Sequence, residues 1–240
     1  MFSIFKRSQP SSFPPLRCDM HSHLLAGIDD GAKDWEDSIS LIGELKKCGF
    51  SKIITTPHIM NDVYRNTPEI IQAKLQELHL QLAAEKIEIE VEAAAEYYLD
   101  EMLYKQVQAN AHLLTFGKKY LLFETNFYSE PYFLKDFIFH ATTQGYQLIL
   151  AHPERYGYMT LSKAEDLKNR GVLLQLNSLS LGTYYSMPIQ KMAQQLVDKG
   201  WIDFLGSDCH NLLQATELAK TMKQKYYRKA LELPLLNNTL

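Results

Sequence analysis

Five of the eight histidines in this 240-residue chain stand in short segments that also carry carboxylates or other polar groups. Asp19-Met20-His21-Ser22-His23 places two imidazoles two residues apart, and Asp208-Cys209-His210 repeats that step with a carboxylate and an imidazole. In an extended backbone, residues two apart point to the same side, so each pair presents two donor groups to one point. His58 closes Thr56-Pro57-His58, His152 opens His152-Pro153-Glu154-Arg155, and Glu96 and Glu124 each follow an apolar run. One His-x-His alone is weak evidence, and Glu96 alone could be a strand-end surface residue. Glu124 behind Tyr120–Phe123 is harder to dismiss, because an unpaired buried charge is costly. Imidazole with carboxylate suits Mn, Fe or Zn, and differs from a thiolate zinc site. One ion takes about four to six ligands, and this set exceeds that, so it predicts two or three divalent ions sharing a bridging carboxylate. Open positions on such ions hold water of lowered pKa.

Elements that could bring these segments together are legible in a recurring pattern. A helical stretch ends in glycine and a short apolar run follows, as in KKCGFSKIITTPH, TTQGYQLILAH, KNRGVLLQLN and VDKGWIDFLGSD. Glycine is the residue expected where the chain turns left-handed past a helix end. The apolar runs are too short for helices and read as buried strands: 16–20, 52–56, 87–95, 120–124, 147–151, 172–176 and 202–206. Between them lie helical patterns at 34–48, 67–85, 100–112, 131–144, 162–170, 188–199 and 212–231. Strand and helix in alternation imply parallel, right-handed βαβ units. Seven units predict an α/β fold with a closed or nearly closed barrel, and an open doubly wound sheet is the alternative. In a parallel barrel the C-terminal strand ends converge on one face. Six of the seven predicted strands deliver a candidate ligand there. His79, His112 and His140 fall in helical patterns and are read as surface or core residues.

Composition sets the remaining bounds. Hydrophobic residues make up 46% and charged residues 22%, an ordinary globular balance. Residues 1–15 read as a flexible lead-in and 16–240 as a single domain. The net charge of −3 provides no basic field for nucleic acid or an anionic membrane. The N-terminus lacks the apolar core of a secretory signal, and no run is long enough for membrane insertion. Three scattered cysteines make no disulfide framework and fit a reducing compartment, so a cytoplasmic location is expected. The sixth residues after Cys18, Cys48 and Cys209 are Leu24, Ile54 and Ala215, which excludes the Cys-x5-Arg loop of cysteine-based phosphatases.

The ordered motifs Asp-x-His-x-His, Thr-Pro-His, Glu, Ala-His-Pro-Glu-Arg and Ser-Asp-x-His resemble the polymerase and histidinol phosphatase (PHP) family, over residues 17 to 212. The segment His21-Ser22-His23-Leu24-Leu25-Ala26-Gly27-Ile28-Asp29-Asp30-Gly31-Ala32 is similar to the signature of bacterial capsular and exopolysaccharide tyrosine phosphatases. That resemblance implies a distorted seven-stranded (β/α)7 TIM-like barrel and a trinuclear site with manganese as the usual metal. It implies one ion on His21, His23, Glu96 and Asp208, a second on Asp30, His58 and His210, and a third on Glu96, Glu124 and His152. Spacing does not separate Asp29 from Asp30. Arg155 matches an arginine that grips the substrate phosphate, while Asp30 or Asp208 could protonate the leaving group only if free of metal. A second arginine, often found shortly after the last histidine, is absent before Lys220, leaving the phosphate to the metals or to Arg65 or Lys118. The implied activity is hydrolysis of phosphotyrosine on a protein, with a bacterial tyrosine kinase of polysaccharide export as partner. The alternatives are a small-molecule phosphatase, for example for histidinol phosphate, and a metal-binding regulatory module without turnover.

Overall fold

The computed structural model describes residues 16–240; the expected lead-in over 1–15 lies outside the described residues. The strands are β1 (Cys18–Asp19), β2 (Lys52–Thr55), β3 (His58–Ile59), β4 (Glu90–Ala93), β5 (Glu96–Tyr98), β6 (Tyr120–Glu124), β7 (Gln147–Ala151), β8 (Leu173–Asn177) and β9 (Phe204–Gly206). All ladder pairings between them are parallel. They form two sheets, of order β1-β2-β4 and β3-β5-β6-β7-β8-β9.

The α/β architecture with parallel strands agrees with the expectation, but the described residues show two sheets and nine strands where one closed seven-stranded barrel was expected. The two extra strands, β3 and β5, are short and lie just past the predicted runs 52–56 and 87–95. Pro57 has no N–H to give a ladder, and it separates β2 from β3. Ala94 and Ala95 separate β4 from β5. Each break transfers the chain from the smaller sheet to the larger one.

Eight helices cover the outside: α1 (Trp35–Lys47), α2 (Pro68–Ala84), α3 (Glu101–Gln108), α4 (Leu134–Thr143), α5 (Leu161–Asn169), α6 (Met187–Lys199), α7 (Leu212–Thr221) and α8 (Lys225–Ala230). Side-chain caps start many of them; Asp34, Thr67, Asp100, Thr160 and Asn211 each accept a backbone N–H of the first turn. The expected helix over 100–112 ends early, where Asn110 turns left-handed at φ +55°. The run expected over 212–231 is broken into α7 and α8, and α8 buries Tyr227 and Ala230.

The strands are buried on both faces, and the period of two explains how. Leu121, Phe123, Leu148 and Leu150 pack outward in the larger core cluster. Tyr120, Leu122, Ile149, Ala151, Phe204, Met20 and Ile54 form a second, inner cluster. Glu124 continues the Tyr120–Leu122 face by two more residues, so it stands at the end of that inner core.

Candidate metal centre

The site is assembled where the strands end. Beyond β1 and β9 the chains run side by side. Asp208 donates its N–H to the His21 carbonyl at 2.8 Å, and His23 donates to the Cys209 carbonyl at 2.9 Å. Asp19, buried below, accepts the Ser207 N–H at 2.8 Å and the Ser207 hydroxyl at 2.5 Å. Two site residues sit in the left-handed region without being glycine: His152 at φ +34° and Asp208 at φ +51°. Such a backbone costs about 1–3 kcal/mol and persists where surrounding contacts hold it. Here the Gln175 side-chain oxygen accepts the His152 N–H at 3.2 Å, and the His21 carbonyl accepts that of Asp208.

The nine residues expected as ligands come together. The donor atoms of eight of them form three overlapping groups: His21, His23, Glu96 and Asp208; His23, Asp30, His58 and His210; and His58, Glu96 and Glu124, the last with His58 where His152 was expected. In the first, His21 Nε2 lies 3.2 Å from Glu96 Oε2 and 3.4 Å from Asp208 Oδ1. Asp30 Oδ1 lies 3.5 Å from Nε2 of both His58 and His210. In the third, His58 Nδ1 lies 3.2 Å from both Glu96 Oε2 and Glu124 Oε1. His152 Nε2 meets the same two carboxylates, at 3.0 and 3.9 Å. Glu96 is thus shared, and His58 also stands between two groups.

The ambiguity between Asp29 and Asp30 has a geometric answer. Asp29 is turned back on the scaffold: Oδ2 receives His23 Nδ1 at 2.8 Å and the His58 N–H at 3.1 Å, and Oδ1 receives the Gly31 N–H. Asp30 is half exposed and faces the imidazoles. Gly31 itself is required: a Cβ there would stand 2.1 Å from the His23 carbonyl oxygen.

Burial opposes charge at Glu96, yet the facing His21 and His58 and the hydrogen bond with His152 hold its carboxyl well below the usual range. Asp208 is held down likewise: burial resists, and His21, His23, His210 and Arg155 prevail. The His210 hydrogen bond takes Asp30 down to about 2. Burial disfavours a charged His21, but Glu96 and Asp208 push it up to about 9. Anionic side chains therefore surround positions that favour cations, protons or metal alike. Two atoms facing the centre, His58 Nδ1 and Glu96 Oε2, are buried without a hydrogen-bond partner, as ligand atoms are when an ion is their partner. The donor set and these atoms fit divalent metal.

Arg155 extends over the cluster. Its Nη1 donates to Asp208 Oδ2 at 2.7 Å, and its guanidinium lies 5.0 Å from the ring centres of both Phe127 and Tyr185. A cavity of about 350 Å³ opens above, walled by Tyr64, Tyr98, Phe127 and Tyr128, with Asp30, His58, Glu124, His152, Arg155, Asp208 and His210 among its other lining residues. Neither proposed substitute for a second arginine lines it. Lys118 precedes β6, at the end of that strand opposite Glu124, and Arg65 lines an adjoining cavity.

Three positioning residues escaped the sequence reading. Gln175 accepts from His21 Nδ1 at 2.9 Å, Asn177 donates to Asp208 Oδ2 at 2.8 Å, and Glu154 joins Asn177 N–H to the Ser180 hydroxyl. Their signal was present: Gln and Asn interrupt the apolar run Leu173-Leu174-Gln175-Leu176-Asn177. Cys209, between two ligand residues, points into the apolar core, and burial pushes its thiol up.

Parallel strands ending in a His and carboxylate cluster define the class: an α/β protein with a candidate metal centre at its C-terminal strand ends. More particularly, the profile of the capsular polysaccharide synthesis family CpsB/CapC matches residues 17–238, and the chain belongs to that family. It is 31% identical over 200 residues to the tyrosine-protein phosphatase YwqE of Bacillus subtilis, covering 81% of this chain and 77% of that one. It is 28% identical over 203 residues to the tyrosine-protein phosphatase CpsB of Streptococcus agalactiae, covering 81% and 83%. Among solved structures, it superposes with a TM-score of 0.80, at 27% identity and 90% coverage of both chains, on one from a study of YwqE from Bacillus subtilis and CpsB from Streptococcus pneumoniae, described as metal-dependent tyrosine phosphatases.

Proposed function

We propose that this chain is a metal-dependent protein-tyrosine phosphatase acting on a bacterial tyrosine kinase that controls capsule or exopolysaccharide synthesis. One observation carries the reading: a guanidinium, a shared carboxylate–imidazole cluster and four aromatic walls face a single cavity. We read residues 16–240 as one domain, the two sheets as parts of one distorted barrel, and the cytoplasm as its location. Among the described residues no helix is long and apolar enough to cross a membrane.

His21, His23, Asp30, His58, Glu96, Glu124, His152, Asp208 and His210 would hold two or three divalent ions, manganese foremost, with iron or zinc as alternatives. Ions bound there supply an activated water and offset phosphate charge. Glu96, common to two of the groups, would be shared between ions, while Asp29 and Gln175 orient His23 and His21 and Asn177 steadies Asp208. Arg155 offers its fork to phosphate oxygens and stabilises the charge that builds on them. Tyr64, Tyr98, Phe127 and Tyr128 enclose an aryl group and exclude water from it. Asp30 and Asp208 are held ionised, which suits ligands better than proton donors.

Protein reloaded with Mn should hydrolyse phosphotyrosyl peptides with much higher efficiency than histidinol phosphate. The reverse order would favour a small-molecule phosphatase, and inactivity toward every phosphoester would favour a binding module.

A further inference from the structure

The loop after β3 carries a cation that the metal centre does not use. Arg65 is exposed, and its Nε donates to the Asn61 carbonyl at 3.0 Å. Among the described residues no carboxylate lies within ion-pair distance of its guanidinium. The acid that shares its cavity, Asp100, is engaged elsewhere. Its Oδ1 accepts the Leu103 N–H at 2.8 Å as the cap of α3, and its Oδ2 accepts the Asn61 N–H at 3.4 Å. Arg65 thus keeps its guanidinium out of any ion pair at the edge of a second cavity of about 210 Å³, whose one lining carboxylate, Asp100, is held by backbone N–H groups.

That cavity adjoins the one over the metal centre, because Met60 and Tyr98 line both. Its remaining walls combine the polar Asn61, Asn66, Thr67 and Gln106 with an apolar side, where Leu103 is buried, Ile59 is half-buried and Met102 is exposed at the rim. In an extended peptide, side chains two residues apart project to the same side, about 7 Å from one another, so a residue near the reacting one can enter an adjoining cavity. With a net charge of −3, the molecule has no global field to draw an acidic peptide, and a local cation must do so.

We infer that the second cavity is a substrate subsite for an acidic side chain flanking the phosphorylated tyrosine, its carboxylate held by Arg65 and its methylenes lying against Met60 and Met102. The inference rests on the phosphotyrosyl reading of the centre. The guanidinium offers two parallel N–H donors to a carboxylate, and the apolar wall suits a Glu or Asp stem.

The test uses labelled peptides in which a non-hydrolysable phosphonate replaces the phosphate, bound to the Mn-loaded full chain and followed by fluorescence anisotropy. Glu is compared with Gln at each of the two positions on either side of the modified tyrosine. At one of these positions wild type should bind the Glu peptide about three- to fivefold tighter, the size of an exposed ion pair, and the gap should narrow as salt rises. Arg65→Gln should bind both peptides equally, and Arg65→Lys should retain part of the preference. The melting temperature and metal content of each variant show that it is folded and loaded. Equal affinities in wild type at all four positions, no measurable binding, or a preference that survives Arg65→Gln would overturn the subsite. A Glu preference in a protein that leaves hydrolysable phosphotyrosyl peptides intact would instead overturn the phosphatase reading while supporting the acidic subsite.

Discussion

Arg155 is anchored on one nitrogen and flanked by two rings, which leaves most of its fork for another partner. If that partner is phosphate, Arg155→Ala should lower kcat/KM on phosphotyrosyl peptides by roughly 30- to 1,000-fold, or about 2–4 kcal/mol. Arg155→Lys should rescue poorly, since an ammonium lacks the planar fork. Metal content should stay the same, because a guanidinium does not ligate. If the pair with Asp208 were only structural, the variant would lose melting temperature and keep near-normal turnover in its folded fraction. Glu96 makes the complementary case. Its two oxygens face His21, His23, His58 and His152, so Glu96→Gln should remove at least one metal equivalent along with turnover. His79 lies far from this chemistry, its Nε2 meeting the Val91 carbonyl at 2.9 Å. His79→Ala should cost about 1 kcal/mol of stability and leave metal content and activity per folded molecule unchanged. Elemental analysis beside kinetics checks both. At this scale the residues of the candidate centre were legible, because imidazole and carboxylate at strand ends have few other uses. The distinction between Asp29 and Asp30 was not, since adjacent residues diverge only once the loop through Gly31 is folded.

The elements hold these residues through close approaches that only small side chains permit. Gly206 ends β9 beside β8 and the segment that follows β1, and a Cβ there would stand 2.7 Å from His21 Cβ and 2.8 Å from Gln175 Nε2. Gly206→Ala should therefore cost about 1–3 kcal/mol and loosen metal binding, because the displaced groups are a ligand and its positioning amide. Gly43 lies within α1 with open space where a Cβ would stand, so Gly43→Ala should stabilise the fold by about 0.5–1 kcal/mol. Thermal melts of the two variants, with metal content of the first, decide the matter; similar melting temperatures would mean that the strand ends are not tightly packed. Helices were legible from caps and spacing, and most strands from apolar runs after glycine. The two interruptions were not, since a residue that leaves one sheet to join another keeps its apolar character. Gln175 and Asn177 were passed over because their strand end carries amides and no ionisable ligand.

Across the whole molecule the decisive quantity is charge concentrated in a buried place. Asp29, Asp30, Glu96, Glu124 and Asp208 contribute five negative charges around the centre, and Arg155 returns one, leaving four. Two divalent ions match that excess, whereas the remainder of the chain is nearly balanced. Without ions, the carboxylates can be neutralised only by protonating the imidazoles between them, as the raised His21 and His23 and lowered Glu96 and Asp208 express. Ions that bind the folded chain and not the unfolded one stabilise it by mass action, about 2.7 kcal/mol for each site at a hundredfold excess over its Kd. Purified protein should accordingly contain two to three equivalents of Mn, Fe or Zn. Exhaustive chelation should lower the melting temperature by several degrees, and adding Mn back should restore it in proportion to the metal bound. The substitution Glu96→Gln should shrink this chelator-dependent shift, while Arg155→Ala should keep it in full, because one residue holds metal and the other meets substrate. A melting temperature indifferent to chelator, with less than one equivalent bound after soaking in Mn, would mean that the cluster is a proton-held polar core, and the phosphatase reading would fall with it.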